Sequence, residues 1–189
     1  IMSRDKIKNL QDQIWATRVS RINAETRLIK KESFFQGINI YYSCFTIIVS
    51  IFSLINKDDK LSLLTLLMTI SLLIAILYLN GQKFLNNAKE YKKNYTELHK
   101  LQLQLEHVSD GDVQSIEEIE DSYCKLLNNS ENHISYDYYC TVYQSNDYYK
   151  IGRWKNIRFK YYWGSAWRFM IKFMIIILPF LLLVVSEVA

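Results

Sequence analysis

The chain holds few residues whose type and spacing could do chemistry. Cys44, Cys124 and Cys140 are widely separated and form no CxxC pair, and His99, His107 and His133 match no metal-ligand spacing. An odd, scattered set of thiols reads as free cysteines facing a reducing compartment rather than as a disulfide framework or a zinc site. Asp110-Gly111-Asp112 superficially resembles a calcium loop, but its glycine is misplaced and the later ligand positions do not fit. The chain has no GxGxxG, P-loop or GxSxG, and no His–acid pair stands beside a nucleophile. The expectation is a protein with no cofactor and no catalytic centre.

A different pattern does stand out. Asn39, Ser43, Thr46, Ser50 and Ser53 step by four and three, a narrow polar stripe along an otherwise apolar helix. Ser62, Thr65 and Thr69 make a shorter stripe further on. Hydroxyls and an amide facing lipid would be poorly satisfied, so both stripes should face protein or water. Two readings stay open. Small polar residues allow close helix packing, which the stripe alone favours, and they can also line a water-filled pore in an oligomer of identical chains. A stripe packed at rest could line a channel after rearrangement.

The elements that position these residues follow from hydropathy. The 189 residues are 50% apolar, with five Gly and one Pro, which favours long helices over turn-rich β architectures. A net charge of +4 does not by itself call for nucleic acid. Neither Ile38–Ile55 nor Leu61–Leu79 contains a charge. At ~1.5 Å per residue these helices are about 27–29 Å long, close to the ~30 Å of a bilayer core. The polar turn Asn56-Lys57-Asp58-Asp59-Lys60 is long enough to reverse the chain and too short to form a domain. Eight Lys/Arg precede the first span and twelve lie between the second span and residue 168, so the positive-inside rule puts both flanks in the cytoplasm. Residues 1–32 have no apolar h-region, so the first span is expected to direct insertion itself.

The flanks also read as helical. Residues 3–35 carry Ile7, Leu10, Ile14, Val19, Ile22 and Ile29 at helical intervals, with Arg18, Arg21 and Arg27 between them. Beyond the hairpin the helix is expected to continue through a seam of Phe84, Ala88, Tyr91, Tyr95, Leu98, Gln102 and Leu105, ending at Ser109-Asp110-Gly111. Ser115-x-x-Glu118 reads as a capping box opening a helix over 116–128. A Tyr-rich helix over 133–146 follows Asn128-Asn129-Ser130, with Tyr148 and Tyr149 beyond it. Phe169–Val185 is a third apolar run, broken by Lys172 and Pro179. The preceding aromatic and basic residues, Arg153 to Arg168, suit a membrane-interface belt, or a nucleic-acid surface using Arg153, Lys155 and Arg158. The adjoining apolar run favours the belt and a third span with its C-terminus outside.

The fold expected is an all-α membrane protein in four parts. These are a cytoplasmic N-terminal helix (1–36), a transmembrane hairpin with long helical extensions (37–80), a cytoplasmic region of short helices (81–168) and a third span (169–189).

Ile14-Trp15-Ala16-Thr17-Arg18-Val19-Ser20-Arg21-Ile22-Asn23-Ala24-Glu25-Thr26-Arg27-Leu28 resembles the N-terminal motif of the SLATT family, the two-transmembrane effectors associated with SMODS and SLOG domains. The resemblance continues through the hairpin and Lys89-Glu90-Tyr91-Lys92-Lys93-Asn94-Tyr95. Tyr123-x-x-Leu126-Leu127, Glu131-Asn132-His133 and Asp137-Tyr138 resemble the subfamily found beside reverse transcriptases. Roughly residues 10–165 are covered, and the third apolar block exceeds the two-span pattern. The resemblance implies a bacterial antiphage effector that oligomerises and permeabilises the inner membrane. Its trigger would be a cytoplasmic sensor: a defence reverse transcriptase, its cDNA or, in related systems, a cyclic nucleotide. Trp15, Arg18, Arg21 and Arg27 would then serve regulation or assembly, against a plainer reading as a solvated face or headgroup contacts. The competing functional reading is a non-conducting membrane scaffold that recruits a cytoplasmic enzyme.

Overall fold

The computed structural model describes residues 2–109, 112–128, 134–145 and 154–188. Among these it is all-helical: α1 Met2–Asn56, α2 Asp59–Gly81, α3 Phe84–Glu106, α4 Val113–Asn128, α5 Ser135–Gln144 and α6 Trp154–Val188. Stretches within Asp5–Asn56, Asp59–Glu106 and Asn156–Val185 are long and apolar enough to cross a membrane. The protein is an all-α membrane protein. Asp110, Gly111, Asn129, Ser130, the Glu131-Asn132-His133 motif, Tyr148 and Tyr149 lie outside the described residues.

Contacts divide the chain into two units, residues 1–29 with 85–164 and residues 30–84 with 165–189. The first is a helical bundle whose apolar core joins Leu10 and Ile14 of α1, Leu98 and Leu105 of α3, and Ile119 and Tyr123 of α4. Ile7, Leu101, Val108, Leu126 and Leu127 pack around them. The α3 seam is buried at Ala88, Tyr91, Leu98 and Leu105, while Asn94 takes the buried place expected of Tyr95.

The second unit contains the hairpin and the apolar end of α6. Its turn is a Schellman motif with an N-cap attached. Lys57 adopts φ 53° just past α1, and the Asp58 N–H reaches back to the Ser53 carbonyl at 3.1 Å. The Asp58 carboxylate then accepts from the Lys60 and Leu61 N–H groups, opening α2. Ser53 Oγ closes the turn, donating to the Asp58 carbonyl at 2.8 Å and lying 2.7 Å from Ser62 Oγ.

α1 runs unbroken through Gly37, as a helical extension of the first span requires. Two details differ from the sequence expectations. A helix continuing from the second span into the next segment is corrected: α2 ends at Gly81 and Lys83 turns to φ 50° before α3 begins. Ser115 does not open α4. Asp112 does, accepting from the Ser115 N–H at 3.1 Å and from Ser115 Oγ at 2.6 Å, so the serine is the capped residue rather than the cap.

Candidate functional site

In the bundle unit the α1 motif faces inward with a column of polar side chains. Thr17 Oγ1 lies 2.8 Å from Tyr123 Oη. One turn on, Ser20 Oγ lies 2.9 Å from Thr141 Oγ1, and Asn23 Nδ2 donates to that same hydroxyl at 3.1 Å. Arg27 then grips Asp137 as a two-pronged fork, Nε to Oδ1 at 2.9 Å and Nη2 to Oδ2 at 3.1 Å. Asp137 is 0% exposed, and its Oδ2 also accepts the Ile134 N–H at the start of α5. One carboxylate thus starts the α5 helix and pins it to α1.

Arg21 is set differently. It is 1% exposed, yet among the described residues it makes a single long hydrogen bond, Nη1 to the Leu126 carbonyl at 3.3 Å. That carbonyl also accepts from Asn94 Nδ2 at 3.0 Å, and Arg21 Nε and Asn94 Oδ1 are buried without a partner among the described residues. Burial pushes the guanidinium below its ordinary pKa, with Tyr123 and Tyr91 opposing the shift, and an arginine still keeps its proton. Leu126 stands in the last turn of α4, so the partial negative charge of the helix C-terminus supplies part of the missing counter-charge.

Arg18 is half-buried and meets His99 Nδ1 at 2.6 Å through Nη1. Trp15 points away from this network and is exposed. Of the four motif residues singled out from sequence, the structure therefore places three arginines in interhelical contacts and leaves the tryptophan outside. Sequence reasoning missed Asp137 as the partner of Arg27 and Thr141 as the partner of Ser20 and Asn23.

Tyrosines hold the other side of α5. Tyr161 of α6 stacks against Tyr143 at 4.6 Å and Tyr136 at 5.8 Å, and Tyr143 Oη lies 2.9 Å from Tyr162 Oη. This ten-residue helix is held by a polar grip on α1 and an aromatic stack on α6. In the aromatic–basic run, Arg153 lies outside the described residues, Arg158 sits 5.7 Å from the Tyr162 ring, and Phe159, Trp163 and Trp167 are exposed.

In the membrane unit the α1 stripe turns toward protein. Thr46 and Ser53 are buried, and Asn39, Ser43 and Ser50 are half-buried. On α2, Thr65 is buried while Ser62 and Thr69 are exposed. The Thr65 and Thr69 hydroxyls donate to their own helix, at the Ser62 and Thr65 carbonyls. Asn39 Oδ1 and Thr46 Oγ1 are buried without a partner among the described residues.

The same unit contains a repair that sequence reading did not find. Pro179 lies inside α6 and has no N–H to give, so the Ile175 carbonyl one turn earlier loses its helical donor. Tyr42 Oη donates to that carbonyl at 2.7 Å, and Tyr41 Oη donates to the Ile176 carbonyl at 2.8 Å. Phe45 packs edge-on to Phe180 at 5.2 Å, and Lys172 Nζ lies 4.8 Å over the Phe34 ring. An unsatisfied carbonyl in an apolar medium is costly, so the tyrosine pair ties the third apolar helix to the first.

Among the described residues no three His, Cys, Asp or Glu side chains gather as metal ligands. Comparison with curated proteins and with solved structures returned no match. A family model does match, and its range runs through the third apolar helix as well as the hairpin. That model describes SMODS and SLOG-associating 2TM effector domain family 5 and covers residues 3–185, and the chain belongs to this family of membrane effectors.

Proposed function

We propose that the chain is a non-enzymatic effector of bacterial antiphage defence that oligomerises and permeabilises the inner membrane. Its N-terminus and α3–α5 lie in the cytoplasm, where a sensor, a defence reverse transcriptase or its cDNA, signals infection. Family membership supports the effector role. The observation that carries the permeation reading is the α1 stripe. It is turned inward, yet Asn39 Oδ1 and Thr46 Oγ1 are left without partners among the described residues. Buried polar atoms of this kind cost free energy that contact with water would recover. A packed stripe with unpaired oxygens suits a resting state whose alternative is hydrated.

The test is membrane potential in cells expressing the chain with and without its genomic neighbour. Replacing Ser43, Thr46 and Ser50 together by leucine should abolish depolarisation while the protein still reaches the membrane. Unchanged depolarisation at normal expression would overturn the pore reading. A preserved potential, with a cytoplasmic enzyme moving to the membrane on activation, would support the scaffold reading instead.

A further inference from the structure

Helix α1 carries two interleaved rows with steps of four and three. Leu10, Ile14, Thr17, Arg21, Ala24 and Leu28 form the first, which turns into the chain's own bundle. The second is Trp15, Val19, Ile22, Thr26 and Ile29, and it turns outward: Trp15 is 38% exposed, Ile22 36% and Ile29 42%. Single exposed apolar residues are ordinary on any surface. A tryptophan and two isoleucines spaced by seven along one line are not scattered, and that spacing is complementary to a second helix with the same repeat.

The occupant follows from the topology. α1 continues without a break into the charge-free span Ile38–Ile55, so any two copies inserted alike in one bilayer present this row in parallel and at the same height. In a parallel pair the residue flanking the seam at Glu25 falls opposite Lys30 of the other copy, an attractive pairing of opposite charge. Two heptads are too short to associate strongly in dilute solution. Confinement to a membrane raises the effective concentration and removes that limitation. We propose that Trp15, Val19, Ile22, Thr26 and Ile29 form the face on which a second copy of this chain docks, as parallel, in-register helices. The proposal rests on the reading of the chain as an assembling effector and names the surface through which it assembles.

The experiment uses the full chain in native membranes with Cys44→Ser, Cys124→Ser and Cys140→Ser. Ile22→Cys and Ile29→Cys are introduced one at a time, with Gln13→Cys and Glu118→Cys as exposed positions off the row. A mild oxidant should give disulfide dimers of the Ile22→Cys and Ile29→Cys chains in several-fold higher yield than of the two controls. Ile22→Lys should abolish the dimer captured through Ile29→Cys. Equal yields at all four positions, or capture of Ile22→Cys by a different protein alone, would overturn the proposal. Depolarisation is measured on the same cells as a separate readout. Dimer capture on the row without depolarisation sustains the seam and removes the pore, and depolarisation without capture does the reverse.

Discussion

Both units bury polar groups between helices, but they satisfy them in different ways. In the bundle of residues 1–29 and 85–164 ions, amides and hydroxyls reach from one helix to another, as Arg27 does to Asp137, Asn94 to the Leu126 carbonyl and Ser20 to Thr141. In the unit of residues 30–84 and 165–189 they are mainly hydroxyls, with Asn39 an amide, and some hydroxyls turn back on their own helix, as the buried Thr65 and the exposed Thr69 do. Interhelical polar bonds there include those at the hairpin turn and at the carbonyl freed by Pro179. An ion pair in a bilayer core carries a desolvation penalty that a hydroxyl bonded to its own helix avoids. The bundle can therefore use charge to fix which helices meet, while the membrane unit relies on small residues and local bonds. Charge pairing makes the bundle sensitive to single substitutions.

The sharpest way to break this contrast is at Arg27. Among the described residues Arg27→Ala leaves the fully buried Asp137 carboxylate with only the Ile134 N–H, and breaking a buried pair from one side costs ~3–5 kcal/mol. Since the Arg27 side chain is 24% exposed, the low end applies, about 3 kcal/mol. Equilibrium unfolding of the purified chain in detergent should show this loss, together with faster proteolysis in α5. Arg27→Lys should recover only part of it, because a lysine cannot make both prongs of the fork. A neutral result for Arg27→Ala would remove the grip on α5.

Arg21 should respond with the opposite sign. It is buried more deeply than Arg27 but has no carboxylate facing it among the described residues. Arg21→Met replaces a poorly compensated charge with a side chain of similar length. Such exchanges are often neutral or stabilising, here by about 1–2 kcal/mol. A more stable bundle with weaker activation in cells would mark Arg21 as a cost kept for switching. Equal destabilisation by Arg27→Ala and Arg21→Met would erase the distinction between the two arginines.

In the membrane unit the corresponding probe is Tyr42→Phe. It removes one hydroxyl and leaves the Ile175 carbonyl unpaired, a loss of about 1 kcal/mol by typical interhelical bond strengths in membranes. Pro179→Ala gives that carbonyl back its own N–H donor, so Tyr42→Phe should cost much less in that background. A double-mutant cycle in detergent checks the coupling, and additive effects would show that the tyrosine bond does not depend on the proline.

How much of this was legible beforehand depends on the range over which each signal acts. The spans were readable because nothing but local composition is needed to place Ile38–Ile55 and Leu61–Leu79 in a bilayer. The stripe from Asn39 to Ser53 was readable as a facing surface because helical period fixes which residues share a side. Arg27 with Asp137 was not, since the partners lie 110 positions apart and nothing local aims one at the other. Pro179 was visible as an irregularity, but which side chain would meet its freed carbonyl depends on how α1 and α6 pack. The break after Gly81 was missed because the seam of α3 takes up where the apolar pattern of α2 ends, although Asn80-Gly81 is itself a helix-stop signal just before the left-handed Lys83.

The smallest expected effect concerns the α4 cap, which the sequence pattern assigned to Ser115 and the structure assigns to Asp112. The Ser115 hydroxyl and backbone N–H both donate to Asp112, which holds that carboxylate below the usual aspartate range. A group whose pKa is lower in the folded chain adds stability above its unfolded pKa and loses it as pH falls through the folded value. Asp112→Asn keeps an acceptor for the N–H but cannot ionise, so it should flatten a small acid-side slope in stability while leaving neutral pH nearly unchanged. Ser115→Ala removes one of the two donors and should shrink the same slope without abolishing the cap. If Ser115 instead capped α4 itself, Ser115→Ala would weaken the helix more than Asp112→Ala at neutral pH, and helical content by circular dichroism decides between them.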